Sequence, residues 1–265
     1  MNRIGVFGAN GRMGLALLEA ATIKEQTQLA GAFVRSNSPL LGVKVNQVNN
    51  AADKNIRFSD ENDINDIDVL IDFTLPDGMK KHLKTAIAKK IPMVIGTTGL
   101  THDDMALLQE AAKEIPIVFA RNYSVGVNVL LNLVHTAASK FGDDLDIEIF
   151  EAHHRHKIDA PSGTALAIGE AIADAKGWVH DDVAVYDRSQ VEQAKSQTEI
   201  GYSVLRGGDI VGEHTAYFAT MGERLELTHK ASSRMTFAIG AIRASQWLIN
   251  KPAGLYSMQD VLELN

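Results

Sequence analysis

Two periods of apolar and polar positions run along this chain. Residues 3–7 (RIGVF), 29–34 (LAGAFV), 68–74 (DVLIDFT), 92–96 (PMVIG) and 116–120 (PIVFA) are short apolar runs bounded by glycine, proline or polar residues, which predicts buried strands. Between them, residues 15–25, 78–90 and 102–114 repeat apolar side chains at helical spacing. Alternation of strand and helix predicts an α/β fold with a Rossmann-like, doubly wound parallel sheet. Residues 37–67, rich in Asn, Asp and Ser, predict loops with one short strand.

The pattern changes near Ser124. A helix is predicted over 126–140, then a strand where LDIEI (145–149) alternates apolar and acidic residues. Leu166, Ile168, Ala171 and Ile172 mark a helical face that Gly177 is placed to end. Residues 178–200 are polar and without clear period, whereas 206–220 and 222–231 predict antiparallel strands separated by glycine turns. A last helix (232–250), apolar at Phe237, Ile239, Ala241, Ile242 and Leu248, returns with Tyr256 and the closing segment to the first half. The expected organisation is a dinucleotide-binding domain from 1–124 and 235–265 and an α+β substrate domain from 125–234. Strands as long as those of the second domain need cover for their other face and edges, which partner subunits can provide.

Composition narrows the function. An apolar fraction of 45% in 265 residues supports a sizeable core. A net charge of −7 and a pI near 5.7 disfavour nucleic acid or an anionic membrane as partner. With no cysteine, disulfides and thiolate chemistry are excluded, and a cytoplasmic location fits. The N-terminus shows no apolar signal region, and no later apolar run approaches the ~20 residues of a membrane span, so no export or anchoring signal is expected.

The first strand runs into GANGRMG, residues Gly8, Ala9, Asn10, Gly11, Arg12, Met13 and Gly14, and then a helix. Such a turn curls backbone around a pyrophosphate and aims helix N–H groups at it. The second strand ends Phe33-Val34-Arg35-Ser36 with no acid for ribose hydroxyls, while Arg35 and Arg12 offer cations for a 2′-phosphate. NADPH is therefore expected in preference to NADH. Thr74, Gly96-Thr97-Thr98-Gly99 and the Asn122-Tyr123 pair stand at other strand ends, where such sheets hold their cofactors.

The chemistry centres on residues 151–165, EAHHRHKIDAPSGTA, in which His153, His154, Arg155, His156 and Lys157 are consecutive. They stand at a strand's C-terminal end, facing a helix that begins near Ser162-Gly163-Thr164. A helix N-terminus and a cluster of cations both favour an anion, and Gly163 permits close approach. If 153–157 stay extended, His153, Arg155 and Lys157 share one face, so that His153 and Lys157 act together as acid–base groups. Histidines at alternate positions also suit a metal, with Glu151 or Asp159 completing the shell, but Arg155 and Lys157 would repel it, and no metal is expected.

With these residues in hand, the chain resembles the dihydrodipicolinate reductase family over nearly its whole length. The resemblance rests on GANGRMG (8–14), GTTG (96–99), ARNYSVGVN (120–128), EAHHRHKIDAPSGTAL (151–166) and the run 206–238. It implies an oxidoreductase of lysine and diaminopimelate biosynthesis, in which NADPH or NADH delivers hydride to a cyclic imine bearing two carboxylates. It further implies that His153 is proton donor and acceptor and Lys157 proton donor. His154, Lys157, Gly163 and Thr164 would hold the carboxylates of this small-molecule substrate. Residues 8–13, Arg35, Gly96, Thr97, Thr98, Ala120, Arg121, Asn122 and Tyr123 would hold the cofactor, and the second domain's sheet would build a homotetramer.

Two departures stand out. Val34 replaces a Glu that many members use for the ribose of NADH, which agrees with an NADPH preference. Arg121 and Tyr123 replace a frequent Ala and Phe, and Arg121 either adds a cation near the nicotinamide or points to solvent. The alternatives are another two-domain NAD(P) dehydrogenase or a dinucleotide-sensing regulator on the same scaffold; the His153/Lys157 pair distinguishes the enzyme from a sensor.

Overall fold

In a computed structural model, which describes residues 1–264, the elements follow in this order. Strand β1 (Asn2–Phe7), helix α1 (Arg12–Ile23), β2 (Thr27–Phe33), β3 (Phe58–Ser59), β4 (Val69–Asp72), α2 (Pro76–Lys89), β5 (Met93–Ile95), α3 (His102–Ala111) and β6 (Pro116–Phe119) make up the first part. Next come α4 (Val125–Lys140), β7 (Asp146–His153), α5 (Gly163–Lys176), α6 (His180–Val183), β8 (Ala184–Val185), β9 (Ile200–Arg206), β10 (Gly212–Thr220) and β11 (Glu223–Ala231). The chain closes with α7 (Met235–Leu248), β12 (Gly254–Tyr256) and α8 (Met258–Leu262).

Two compact units result: Met1–Val125 together with the chain from Arg234 onward, and Gly126–Ser233. In the first, seven parallel strands take the order β12-β6-β5-β4-β1-β2-β3. The sheet is covered on both faces, which is why its strands read as continuous apolar runs instead of alternating. Leu17, Leu18, Ala241, Ile242 and Leu248 of α1 and α7 bury one face with Ile4, Val6, Val69 and Ile71. Met79, Leu83 and Leu108 of α2 and α3 bury the other with Phe7, Leu70 and Ile95. Each such leucine or isoleucine contributes about 1.5–3 kcal/mol on burial. The closing segment does more than complete this half, because Gly254–Tyr256 pairs in parallel with β6 as a seventh strand.

The second unit holds a five-stranded mixed sheet, β11-β10-β7-β9-β8. β10 pairs antiparallel with both β7 and β11, but β9 runs parallel to β7 and β8 parallel to β9, which the sequence pattern did not announce. On one face Leu130, Val134 and Ala138 of α4 and Ile168 and Ile172 of α5 pack over Ile147, Ile149, Ile200, Ala216 and Phe218. That inner face is where β7 changes character. Every second residue points there, so Ile147 and Ile149 are followed by Glu151 and His153 at the C-terminal end.

Candidate active site

In the first unit every strand is parallel, so the turns after β6, β5, β4, β1 and β2 line one edge of the sheet in that order. This brings Ala120–Tyr123, Gly96–Thr98, Thr74, Gly8–Met13 and Arg35 to a common edge. Helix α1 starts at Arg12, with Gly11 as its N-cap, no side-chain cap and no acid in its first turn, leaving its dipole and N–H groups for an anion. Gly8 holds φ +61°, and a methyl on Gly14 would come within 2.2 Å of the Gly8 carbonyl oxygen, so strand and helix touch only because both are glycine. Asn10, Arg12, Arg35, Thr98 and Arg121 are exposed. Thr97 is buried and its Oγ1 has no partner, a polar atom placed where a ligand could satisfy it. These features fit a dinucleotide.

Tyr123 turns its side chain into the core. Its ring is buried there, its hydroxyl donates toward the Ile95 carbonyl at 2.8 Å or that of Val118 at 3.0 Å, and its own carbonyl packs against Gly240 of α7. Burial pushes its phenol well above the ordinary range. Beneath Thr74, the buried Asp72 accepts from Thr74 N at 2.6 Å and pairs with His82 Nδ1 at 2.6 Å, while the His82 ring stacks on Phe7 at 3.8 Å. This pair ties the β4 turn to α2.

In the second unit the strand ends at His153, and residues 154–157 are not extended. Gly207 N donates to His153 O, Arg155 N to Gly208 O and Lys157 N to His154 O, which folds the segment into a turn. His153, Arg155 and Lys157 therefore do not share a strand face, contrary to the expectation from an extended chain. Lys157 reaches Asp159 at 2.8 Å instead. His154 is half-buried, with its ring 6.1 Å from His156.

His153 is held from below. Its Nδ1 lies 2.6 Å from Glu151 Oε2, and Glu151 also takes both terminal nitrogens of Arg206, at 2.7 and 2.8 Å, and the backbone N–H of Ser162 at 2.9 Å. Burial alone would raise this carboxyl, but the hydrogen bonds from His153, Arg206 and Ser162 outweigh it and bring it down to about 2. Ser162 caps α5 by accepting from Ala165 N at 3.2 Å, and its hydroxyl meets His214 Nε2 at 2.9 Å. At the next position Gly163 is exposed, with nothing within 4 Å of where a Cβ would stand, and Thr164 follows in the first turn of α5. An ordered histidine thus lies near an open helix N-terminus with no acid in its first turn, which suits proton exchange with an anionic ligand.

Residues 2–123 match the family model described as dihydrodipicolinate reductase, N-terminus, and residues 126–262 match that for its C-terminus. The chain belongs to the dihydrodipicolinate reductase family. It is 81% identical to the 4-hydroxy-tetrahydrodipicolinate reductase of Pseudoalteromonas translucida (strain TAC 125), over 99% of this chain and 98% of the relative. It is 52% identical to that of Pseudoalteromonas atlantica (strain T6c / ATCC BAA-1087) over the full length of both. Among solved structures, dipicolinate-bound dihydrodipicolinate reductase from Paenisporosarcina sp. TG-14 aligns with a TM-score of 0.76 at 22% identity, covering 98% of each chain, which establishes the shared fold.

The sequence motifs left several residues of this site unmarked. Glu151 was visible only as a candidate metal ligand, yet its oxygens are filled by Arg206, His153 and Ser162, and Asp159 is engaged by Lys157. Its place two residues before His153 on a strand was the available signal. Arg206 and His214 lie in the run 206–238 that carries the resemblance, but nothing local assigned them to this site, because strand register brings them there: Arg206 pairs with His153 across β9 and His214 with Glu151 across β10. Among the described residues, no three His, Asp or Glu converge to hold a metal, and no helix is long and apolar enough to cross a membrane.

Proposed function

We propose that this chain reduces 4-hydroxy-tetrahydrodipicolinate to tetrahydrodipicolinate with NADPH or NADH, the step of lysine and diaminopimelate biosynthesis for which its relatives are named. The substrate is a small cyclic dicarboxylate, and a bound nicotinamide supplies the hydride. Loss of water from the hydroxylated carbon and uptake of one proton complete the balance.

His153 gives and takes that proton, with Lys157 as a second donor, while His154, Lys157, Gly163 and Thr164 hold the carboxylates. The dinucleotide is held by Gly8–Met13, Arg35, Gly96–Thr98 and Ala120–Tyr123. Val34-Arg35 after β2, with Arg12 exposed in the turn after the adjacent strand β1, supports NADPH over NADH. The dinucleotide belongs to the first unit and the substrate carboxylates to the second. The working form is a cytoplasmic homotetramer.

The single observation that carries this reading is the Glu151-held His153 beside the Gly163 opening of α5. A dinucleotide sensor has no use for such a histidine. The test is oxidation of NADPH, and separately NADH, with substrate generated in place from pyruvate and aspartate semialdehyde by the preceding synthase. Oxidation that depends on the synthase, faster with NADPH at low cofactor concentration, is expected. Synthase-independent oxidation would remove the substrate assignment, and a clear NADH preference would remove the role given to Val34-Arg35.

A further inference from the structure

In the reading above Glu151 only holds His153 in place, yet its side chain takes four hydrogen bonds. It is fully buried, and its two oxygens face four donors: His153 Nδ1, Ser162 N and both terminal nitrogens of Arg206. A carboxylate only accepts, so the ring nitrogen facing it must carry the proton. The bidentate Arg206 cancels the negative charge, and Arg206 is itself anchored on the Asp159 carbonyl at 2.5 Å. A dicarboxylate substrate therefore meets no net negative group there. At the start of β10 stands Gly212, where a methyl would come 3.0 Å from His153 Nε2. The missing side chain leaves space at the one nitrogen not committed to Glu151.

We propose that Glu151 is the positioning residue of the reduction: it fixes His153 with Nδ1 protonated and Nε2 turned to the open side, and through Ser162 N it ties that ring to the start of α5. The proposal rests on the assignment of His153 as proton donor and acceptor. One carboxylate then sets both the proton-exchanging atom and the turn that takes the substrate's carboxylate, and Gly212 keeps Nε2 accessible. The spacing Glu-Ala-His follows, because only residues two apart on a strand share a face. Arg206 keeps the joint ionised, and its arrival depends on the parallel pairing of β9 with β7.

Three measurements test this. In the unaltered enzyme, selective 15N-histidine NMR at pH about 8, where an ordinary histidine is neutral, should show His153, assigned by its absence in His153→Ala, as the Nδ1-protonated tautomer; the opposite tautomer would overturn the proposal without any Glu151 variant having to fold. Glu151→Gln puts an amide N–H against donors and should lower kcat by roughly 10²-fold or more, the scale seen when a histidine loses its orienting carboxylate, while NADPH affinity stays within about twofold and Glu151→Asp restores part of the rate. In a His153→Ala background the same substitution should cost less than about threefold, since its effect runs through His153. An undiminished kcat in Glu151→Gln, or an equal loss in both backgrounds, would sink it. If His153→Ala alone keeps the full rate, the failure lies in the assignment of His153 and not in the role of Glu151.

Discussion

His214 is buried opposite Glu151, its ring edge-on to His153 at 5.1 Å. Burial first, and then the neighbouring His153, push it from an ordinary 6.5 down to about 3, with His229 and Lys157 acting in the same direction and Glu151 opposing. It is neutral at any working pH and is no proton donor. The unfolded chain takes up a proton here between pH 6.5 and 3 that the folded chain refuses, so stability falls as pH falls through that window, by up to about 1.4 kcal/mol per pH unit for one proton. His229, lowered by burial, adds the same sign, and Glu151 joins below 4.5, since its folded value is about 2. His214→Gln removes one titrating group while keeping a polar atom near Ser162. The variant's melting temperature should fall less steeply between pH 6.5 and 4.5 than that of the parent; parallel curves would show that His214 titrates normally in the fold.

At the scale of elements, the junction of β7 and α5 makes the site. Ser162 satisfies Ala165 N and meets His214, so Ser162→Ala removes a helix cap and leaves a buried ring nitrogen unpaired. A loss of about 1–3 kcal/mol in urea unfolding is expected. A loss near zero would mean that water or a shifted His214 replaces the hydroxyl. Much of this junction could be read in advance, because alternation in LDIEI marks the strand and SGT followed by an apolar helical face marks the cap. The turn at 154–157 could not be, since it is folded by bonds to Gly207 and Gly208, some fifty positions away. Arg206 and His214 escaped for the same reason. In the first unit the glycine turn and the strand–helix alternation are local signals and were legible. β12 was not, because three residues have no period of their own and become a strand only by pairing with β6.

At the scale of the whole molecule, the two faces of the second sheet differ. Only one of its faces is packed by α4 and α5. Alternation places Phe150, Thr215, Tyr217, Glu226 and Thr228 on the other, and β11, nine residues long, is hydrogen-bonded on one side only. Long unpaired edges promote association unless charge protects them. Part of this edge is dressed with charge, as Arg224 pairs with Glu226 at 2.6 Å and Lys230 with Glu213 at 3.2 Å. Thr215 and Thr228 bond each other across the strands at 3.0 Å, however, and Tyr217 and Phe150 are half-buried rings on the face away from α4 and α5, a mixture closer to an interface than to a solvated face. If the proposed homotetramer forms through this face, sedimentation gives about four times the 28.8 kDa of one chain. Tyr217→Glu sets a second carboxylate directly opposite Glu226 in the register and should shift the enzyme to smaller species at micromolar concentration, with far-ultraviolet circular dichroism unchanged. If the parent chain sediments as a monomer, the ion pairs along β11 suffice to keep the edge in water. The sheet's outer face would then belong to the fold of one chain alone.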